Sequence, residues 1–357
     1  MLQEKNSWPK TASIEILMFR KLLNMFSKDL AMDLGTANTL LYTRKNGIVL
    51  NEPSVVALDA ERGHVLAVGR EAKEFLGRTP KSIKAIRPMR DGVIADFEVT
   101  RQMIAFFIKK VIAGFSLARP NIVICVPTGI TQVEKRAVVE SAQQAGANFV
   151  RLIEEPMAAG IGAGLPTHEP LGNMVVDIGG GTTEVAVISL SAIAYAESVR
   201  VAGDAMNIAI QRYFQNEFQL FIGENMAERI KLAVGSAFPL PEQLVVEVSG
   251  KDVVSGTPRS VRVTDGHIRE ALSDPVRAIL LAVHKALEKT PPELAADISD
   301  NGILIAGGGA LLKGLDILIH KSTGLNIIID DDPLTTVVRG TGKTLEDQHF
   351  YSSVYIN

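Results

Sequence analysis

One cysteine and one tryptophan stand among 357 residues. A single thiol, Cys125, rules out an intrachain disulfide and fits a reducing compartment. It falls in the apolar run Ile122-Val123-Ile124-Cys125-Val126 and reads as a buried strand thiol, with a catalytic nucleophile as the alternative. Charge bias is also missing. Thirty-seven basic and 40 acidic residues leave a net charge of −3, so no nucleic-acid partner is expected. No apolar run reaches the roughly 18 residues that span a bilayer. Glu15 interrupts the short apolar N-terminal stretch, which therefore does not read as a signal peptide. The expected location is the cytoplasm. The six histidines are scattered without metal-ligand spacing, and no Gly-x-Ser-x-Gly elbow occurs.

What is abundant is glycine, with 30 residues, concentrated in part in two related signatures. These are Asp33-Leu34-Gly35-Thr36-Ala37-Asn38-Thr39 and Asp177-Ile178-Gly179-Gly180-Gly181-Thr182-Thr183-Glu184. Each follows a strand-like run and leads into another. The length predicts two domains, and the repeated strand, acidic loop and strand predict duplicated α/β units. Recurrent strand, glycine turn and helix predict an α/β class with mostly parallel central sheets. Arg44-Lys45-Asn46-Gly47 signals a hairpin. Thr131 to Ala145 reads as a helix, with Thr131 as N-cap and Glu134 at the capping-box position. A further helix is expected over Leu311 to His320.

Glycines without Cβ atoms let backbone amides approach phosphate oxygens, and Thr36, Thr39, Thr182 and Thr183 add hydroxyls. Carboxylates repel a bare phosphate tail, so Asp33 and Asp177 make sense facing a divalent metal or its waters. The alternative is a pair of ordinary turns with locally bonded side chains. Glu134 is the candidate for aiming a hydrolytic water; a capping-box carboxylate is the alternative, and one side chain cannot easily fill both roles. Gly307-Gly308-Gly309 could pass under a base or ribose. Glu228 and Lys231 could meet the base from the other side, or form a solvated i,i+3 ion pair. Gly340-Thr341-Gly342-Lys343-Thr344 imitates the end of a Walker A loop, but Val337 occupies the place of its first glycine. Near the N-terminus, Ile14, Leu17, Met18, Leu22, Met25 and Phe26 share one side of a helical wheel with basic residues opposite. That pattern suits a membrane interface or a helix packed on the body.

These segments together resemble the MreB family of bacterial actin-like proteins, in the actin, Hsp70 and sugar-kinase superfamily. The resemblance rests on the two acidic loops, Asn51-Glu52-Pro53-Ser54-Val55-Val56-Ala57, Pro127-Thr128-Gly129-Ile130, Glu154-Glu155-Pro156-Met157-Ala158-Ala159, Gly203-Asp204, Gly223-Glu224, Ala227-Glu228-Arg229-Ile230-Lys231 and Gly307-Gly308-Gly309. It runs from residue 18 to about 347.

The resemblance implies an actin-like ATPase fold with two duplicated RNase H-like α/β domains around a nucleotide cleft. Domain I would span 29–160, with a small subdomain near 50–90, and be completed by 333–357. Domain II would span 161–332, with a small subdomain near 205–262, and residues 1–28 would form an N-terminal extension and membrane-binding segment. ATP or ADP would contact Gly35, Thr36, Ala37, Asn38, Gly179, Gly180, Gly181, Thr182, Gly203, Asp204, Glu228, Lys231, Gly307, Gly308, Gly309 and Ala310. Asp33 and Asp177 would sit by Mg2+, and Glu134 would serve the attacking water.

The family's properties imply slow ATP hydrolysis coupled to paired antiparallel protofilaments on the inner face of the cell membrane, where they maintain rod shape. Implied partners are anionic lipid, MreC, MreD, RodZ, RodA and penicillin-binding protein 2. Met18, Phe19, Leu22, Phe26, Phe115 and Leu117 are the implied membrane contacts. Seventeen residues precede Met18, past the usual family start, and Met18 is itself a candidate initiator. The rival functions are a small-molecule kinase, a chaperone-type ATPase and a filament protein that binds ATP with almost no turnover. A chaperone of that type needs a peptide-binding domain, for which almost no chain remains past residue 347.

Overall fold

The computed structural model describes residues 29–112 and 119–356. The N-terminal amphipathic segment, Phe115 and Leu117 lie outside the described residues.

The first half begins with β1 (Leu30–Leu34), β2 (Asn38–Thr43) and β3 (Gly47–Pro53). A small three-stranded sheet follows, from β4 (Val56–Asp59), β5 (Val65–Val68), helix α1 (Arg70–Phe75) and β6 (Ile83–Ile86). A short hairpin, β7 (Met89–Arg90) and β8 (Val93–Ile94), leads to α2 (Phe97–Ile112). Then come β9 (Asn121–Val126), α3 (Gln132–Gln144), β10 (Phe149–Glu154) and α4 (Glu155–Ala163).

The second half repeats the plan with β11 (Asn173–Ile178), β12 (Thr183–Ser189) and β13 (Ala192–Val199). Its insertion carries α5 (Gly203–Glu217), β14 (Leu220–Phe221), α6 (Glu224–Val234), β15 (Val245–Asp252) and β16 (Pro258–Thr264). Helices α7 (Asp265–Ala271), α8 (Ser273–Lys289) and α9 (Pro292–Asn301) precede β17 (Ile303–Ala306). The chain continues through α10 (Leu315–Thr323), β18 (Ile327–Ile329) and α11 (Thr336–Glu346).

The two five-stranded sheets have one topology. Their orders are β3-β2-β1-β9-β10 and β13-β12-β11-β17-β18. In each, the first three strands form an antiparallel meander and the last two join in parallel. The expectation of mostly parallel sheets is therefore corrected. Short turns join the opening strands, and a short turn can return the chain only antiparallel; the parallel pairings come where long connections intervene.

Period-two alternation decides what each sheet faces. On β1, Leu30, Met32 and Leu34 enter the core of the first half, while Ala31 points the other way. On β11, Met174, Val176 and Ile178 enter the core of the second half, and Val175 points away. Ala31, Val123, Val175 and Leu304 instead share a middle core with α4 and α11. Asp33 and Asp177 continue the Ala31 and Val175 faces to the strand ends, so the two carboxylates look toward the same seam.

Small residues let α4 and α11 cross closely in that seam. A methyl at Gly340 would overlap the Ala158 carbonyl, and one at Gly162 would overlap the Thr336 carbonyl. Lys343 Nζ donates to the carbonyls of Ile161 and Gly162 at 2.9 and 3.0 Å, satisfying the end of α4. The Walker-like segment is thus a helix-packing surface. Leu311 lies in a 3-10 turn (Gly308–Leu311), and α10 starts at Leu315 after Gly314 adopts φ 72, later than the sequence suggests.

Gly340→Ala should lower unfolding free energy by about 3 kcal/mol or more through overpacking. Gly266, inside α7 with no atom closer than 3.5 Å to its Cβ position, is the control, and Gly266→Ala should not lower it. Urea denaturation of both variants checks this.

Candidate active site

The two acidic loops meet at the mouth of this seam. They line one cleft of about 510 Å³, whose walls come from both halves of the chain. Close backbone approach explains the glycines. A Cβ at Gly180 would stand 2.6 Å from the Ala37 Cβ, so the loops could not touch if that residue carried a side chain. Ser54 Oγ donates to the Gly35 carbonyl at 2.7 Å and bonds Thr39 Oγ1 at 2.9 Å, fixing the first loop from beneath. The second loop is tied to the start of α5, where the Gly203 and Asp204 amides donate to the Gly179 and Gly180 carbonyls.

A turn not singled out from sequence wedges between the loops. Asp91 and Gly92, at φ 50 and 76, close the β7–β8 hairpin, and the Gly92 amide donates to Thr36 Oγ1 at 3.1 Å. Asp-Gly between Met89-Arg90 and Val93-Ile94 is a type I′ turn signal that could have revealed it.

The floor of the cleft is a cluster of acids. Asp33 and Asp177 both line it, and Glu155, the first residue of α4, joins them. Ligand atoms of Asp33, Cys125 and Glu155 lie within 4.8 Å of one another. Burial pushes Asp33 up to about 6, partly offset by the Cys125 thiol, which donates to Asp33 Oδ1 at 3.4 Å. Burial, then the Asp33 and Glu184 charges, pushes Asp177 up to about 8. Glu155 is held well above the ordinary range by burial and by Glu184, Asp177 and Asp33. Burial also raises Glu184 to about 7, although Thr128 N and Oγ1 both donate to its Oε2 at 2.9 Å and Ser198 Oγ to its Oε1 at 3.1 Å. Raised carboxylates crowded beside a glycine cradle fit a divalent cation bound with a phosphate tail, because the cation lets them ionise together.

A sequence model of the MreB/Mbl protein family matches residues 27–353. The chain belongs to the MreB/Mbl family. It is 54% identical over 339 residues to the cell shape-determining protein MreB of Escherichia coli K12, covering 93% of this chain and 98% of that one. It is 48% identical over 323 residues to the cell shape-determining protein Mbl of Bacillus subtilis 168, covering 90% and 97%. Among solved structures, MreB5 of Spiroplasma citri bound to ADP superposes with a TM-score of 0.87 at 33% identity, over 92% of this chain and 98% of that one. A MamK double helical filament shares the fold, with a TM-score of 0.78 at 22% identity over 89% and 99%. The fold is actin-like.

Most residues marked in the sequence line this cleft: Gly35, Thr36, Ala37, Asn38, Gly179, Gly180, Gly181, Thr182, Gly203, Asp204, Glu228, Lys231, Gly307, Gly308 and Gly309. Ala310 is buried and is not among the lining residues. Glu134 is elsewhere. It caps α3: its Oε2 accepts from Thr131 N at 2.8 Å and from Thr131 Oγ1 at 2.6 Å, and its own amide donates back to Thr131 Oγ1. These bonds hold its carboxyl below the usual range. The capping alternative describes its position; Glu155, unlike Glu134, lines the cleft.

The outer end of the cleft also differs from the sequence reading. Glu228 does not pair with Lys231. It accepts from Lys73 Nζ at 3.0 Å, across the mouth, and Arg87 pairs with Glu224 beside it. Lys231 Nζ turns inward and donates to the Gly203 carbonyl at 2.8 Å.

Between the ordinary value of 3.8 and about 8, folded Asp177 keeps a proton that the unfolded chain has released. Stability of the ligand-free protein should therefore fall as pH rises across that window. Asp177→Asn should flatten the slope and raise the melting temperature at about pH 8 by a few degrees, as read by calorimetry in the absence of divalent cations.

Proposed function

We propose that this chain is a magnesium-dependent ATPase that polymerises as a bacterial actin and organises cell-wall elongation from the inner membrane face. The observation that carries this reading is the meeting of two duplicated acidic glycine loops over one acid cluster, between two lobes. Support comes from relatives: MreB5 of Spiroplasma citri has been solved with ADP and with AMPPNP, the latter at a TM-score of 0.86.

In this reading the triphosphate lies along the loop amides of Gly35–Asn38 and Gly179–Thr182, where the helix start at Gly203 adds positive potential. Asp33 and Asp177 would hold the magnesium ion, whose charge would offset that of the phosphate tail. Glu155 takes the water-orienting role first assigned to Glu134. Its carboxylate faces the cleft, beside the end of β1 and opposite the second loop, whereas Glu134 is engaged by Thr131. Thr182, at the end of that loop, offers a hydroxyl to the same water or to the leaving phosphate. Glu228, Lys231 and Gly307–Gly309 flank the nucleoside.

ATP joining the lobes from both sides would favour a closed, polymerising state, and phosphate loss would relax it. Partners follow the family expectation: further copies in paired antiparallel protofilaments, anionic lipid, MreC, MreD, RodZ, RodA and penicillin-binding protein 2. Among the described residues no helix is long and apolar enough to cross a membrane, which leaves residues 18–26 with Phe115 and Leu117 as the proposed surface anchor.

Glu155→Gln should slow phosphate release roughly 100-fold or more while ATP still binds. Glu134→Gln keeps a capping-competent side chain and should stay within about threefold of wild type. Steady-state phosphate release measures both, and a large loss in Glu134→Gln alone would return the role to that residue.

Removing residues 1–26 should cut co-flotation with anionic vesicles several-fold while ATP-dependent sedimentation persists. Unchanged flotation would move the anchor to Phe115 and Leu117.

A further inference from the structure

Ser54 stands where the chain leaves the main sheet of the first half. Strand β3 ends at Pro53, and β4 of the small sheet begins at Val56. Ser54 is fully buried and does not line the cleft, whereas Gly35–Asn38 do. Its Oγ donates to the Gly35 carbonyl at 2.7 Å, and its amide donates to the Ala37 carbonyl at 2.9 Å. A hydroxyl has one proton to give, so the 2.9 Å bond between Ser54 and Thr39 is donated by Thr39 Oγ1.

The second half builds the same arrangement from different atoms. Its chain leaves the main sheet between the end of β13 at Val199 and the start of α5 at Gly203. The Gly203 and Asp204 amides donate to the Gly179 and Gly180 carbonyls at 3.2 and 2.8 Å. Thr183 Oγ1 donates to the Val201 carbonyl at 2.7 Å. Thr39 and Thr183 are equivalent positions: each is fully buried and pairs with the last residue of the opening strand, Leu34 or Ile178. In both halves, then, the segment leaving the sheet accepts a threonine hydroxyl and takes up two carbonyls of the phosphate loop.

This has a consequence for anion binding. A planar trans peptide points its N–H opposite to its C=O. Bonding the carbonyls of Gly35, Ala37, Gly179 and Gly180 therefore turns the next amides, on Thr36, Asn38, Gly180 and Gly181, away from the leaving segments. A phosphate needs amide protons toward it and carbonyl oxygens turned from it. In the second half both donors are backbone amides. In the first half one of the two is a side chain, so the loop's orientation depends on which residue occupies position 54.

We propose that Ser54 is a positioning residue for phosphate binding, holding the carbonyls of the first loop out of the cleft as the first amides of α5 do for the second. It acts through the loop and touches no ligand. This rests on the nucleotide reading above.

The test combines amide hydrogen exchange with calorimetric titration of the full-length chain. In wild type, saturating magnesium–ATP should slow exchange over both 35–38 and 179–182. In Ser54→Ala the slowing should persist over 179–182 and be lost over 35–38. ATP affinity should fall about tenfold, while affinity for adenosine, which has no phosphate, holds within about twofold. Ser54→Cys keeps a weaker donor, should fall between the two, and serves if the alanine variant does not fold. Thr290→Val removes another buried hydroxyl, bonded to the Ala286 carbonyl at 2.6 Å outside the cleft. It should lower the melting temperature as Ser54→Ala does, yet leave ATP affinity unchanged. Slowing that survives in both loops of Ser54→Ala, slowing lost equally from both, or ATP and adenosine affinities that fall together would overturn the proposal while the nucleotide reading stands. If wild type binds no ATP, both fail.

Discussion

Four carboxyl groups from two lobes are forced together where the lobes meet. Asp33, Glu155, Asp177 and Glu184 each have proton affinities raised by burial, and for Glu155 and Asp177 the neighbouring acids add to the effect. Such a cluster is tolerable only if protons or a cation balance it. That requirement accounts for the rest of the site. The glycine loops leave open space directly beside the cluster. The Cys125 thiol and the Thr128 and Ser198 donors lighten the remaining charge. The contact between Glu184 and Thr128 also spans the lobes, so the acid cluster is a joint as well as a site.

Duplication supplies the geometry. Two sheets of one topology face a shared layer, and alternation along β1 and β11 delivers one aspartate from each to it. Beneath them, α4 and α11 cross at backbone distance because Gly162 and Gly340 lack side chains. Above them, Lys73 and Arg87 from the first half pair with Glu228 and Glu224 from the second at the mouth. Close-packed backbone resists separation, whereas partly exposed ion pairs typically contribute only about 0.2–1 kcal/mol each. The two lobes are thus held unequally, firmly at the base and lightly at the mouth.

Much of this was legible in the sequence because it is local. An acidic residue, a glycine turn and a following strand mark each loop; Thr131 and Glu134 spell a capping box; Val337 disqualifies the Walker-like segment. What escaped depends on contacts distant along the chain. Sheet direction is set by which connections are short, and the general α/β pattern suggested more parallel pairing than exists. Glu134 and Glu155 both follow a strand end and sit in the first turn of a helix. The capping box that occupies the first is local, whereas only tertiary placement shows that the second lies beside Asp33. Asp91-Gly92 is an ordinary hairpin turn by sequence, and its wedge between the two loops is a tertiary fact.

Glu228 sits where two demands on one carboxylate meet. From sequence it read either as a nucleoside contact or as half of an ion pair with Lys231. The structure gives a third arrangement, in which it bonds Lys73 from the opposite lobe while Lys231 bonds the Gly203 carbonyl. All three residues still line the cleft. A nucleoside that engaged Glu228 would draw on the same carboxylate that links the two halves of the chain. Ligand contact and mouth closure are therefore not independent, because one carboxylate has two oxygens to share between a cation on one lobe and a hydroxyl in the cleft. If both are satisfied together, ligand and closure reinforce each other; if they compete, the ligand loosens the mouth. Either outcome ties occupancy of the cleft to the relative position of the lobes, which a polymer built from such lobes would register at its contacts.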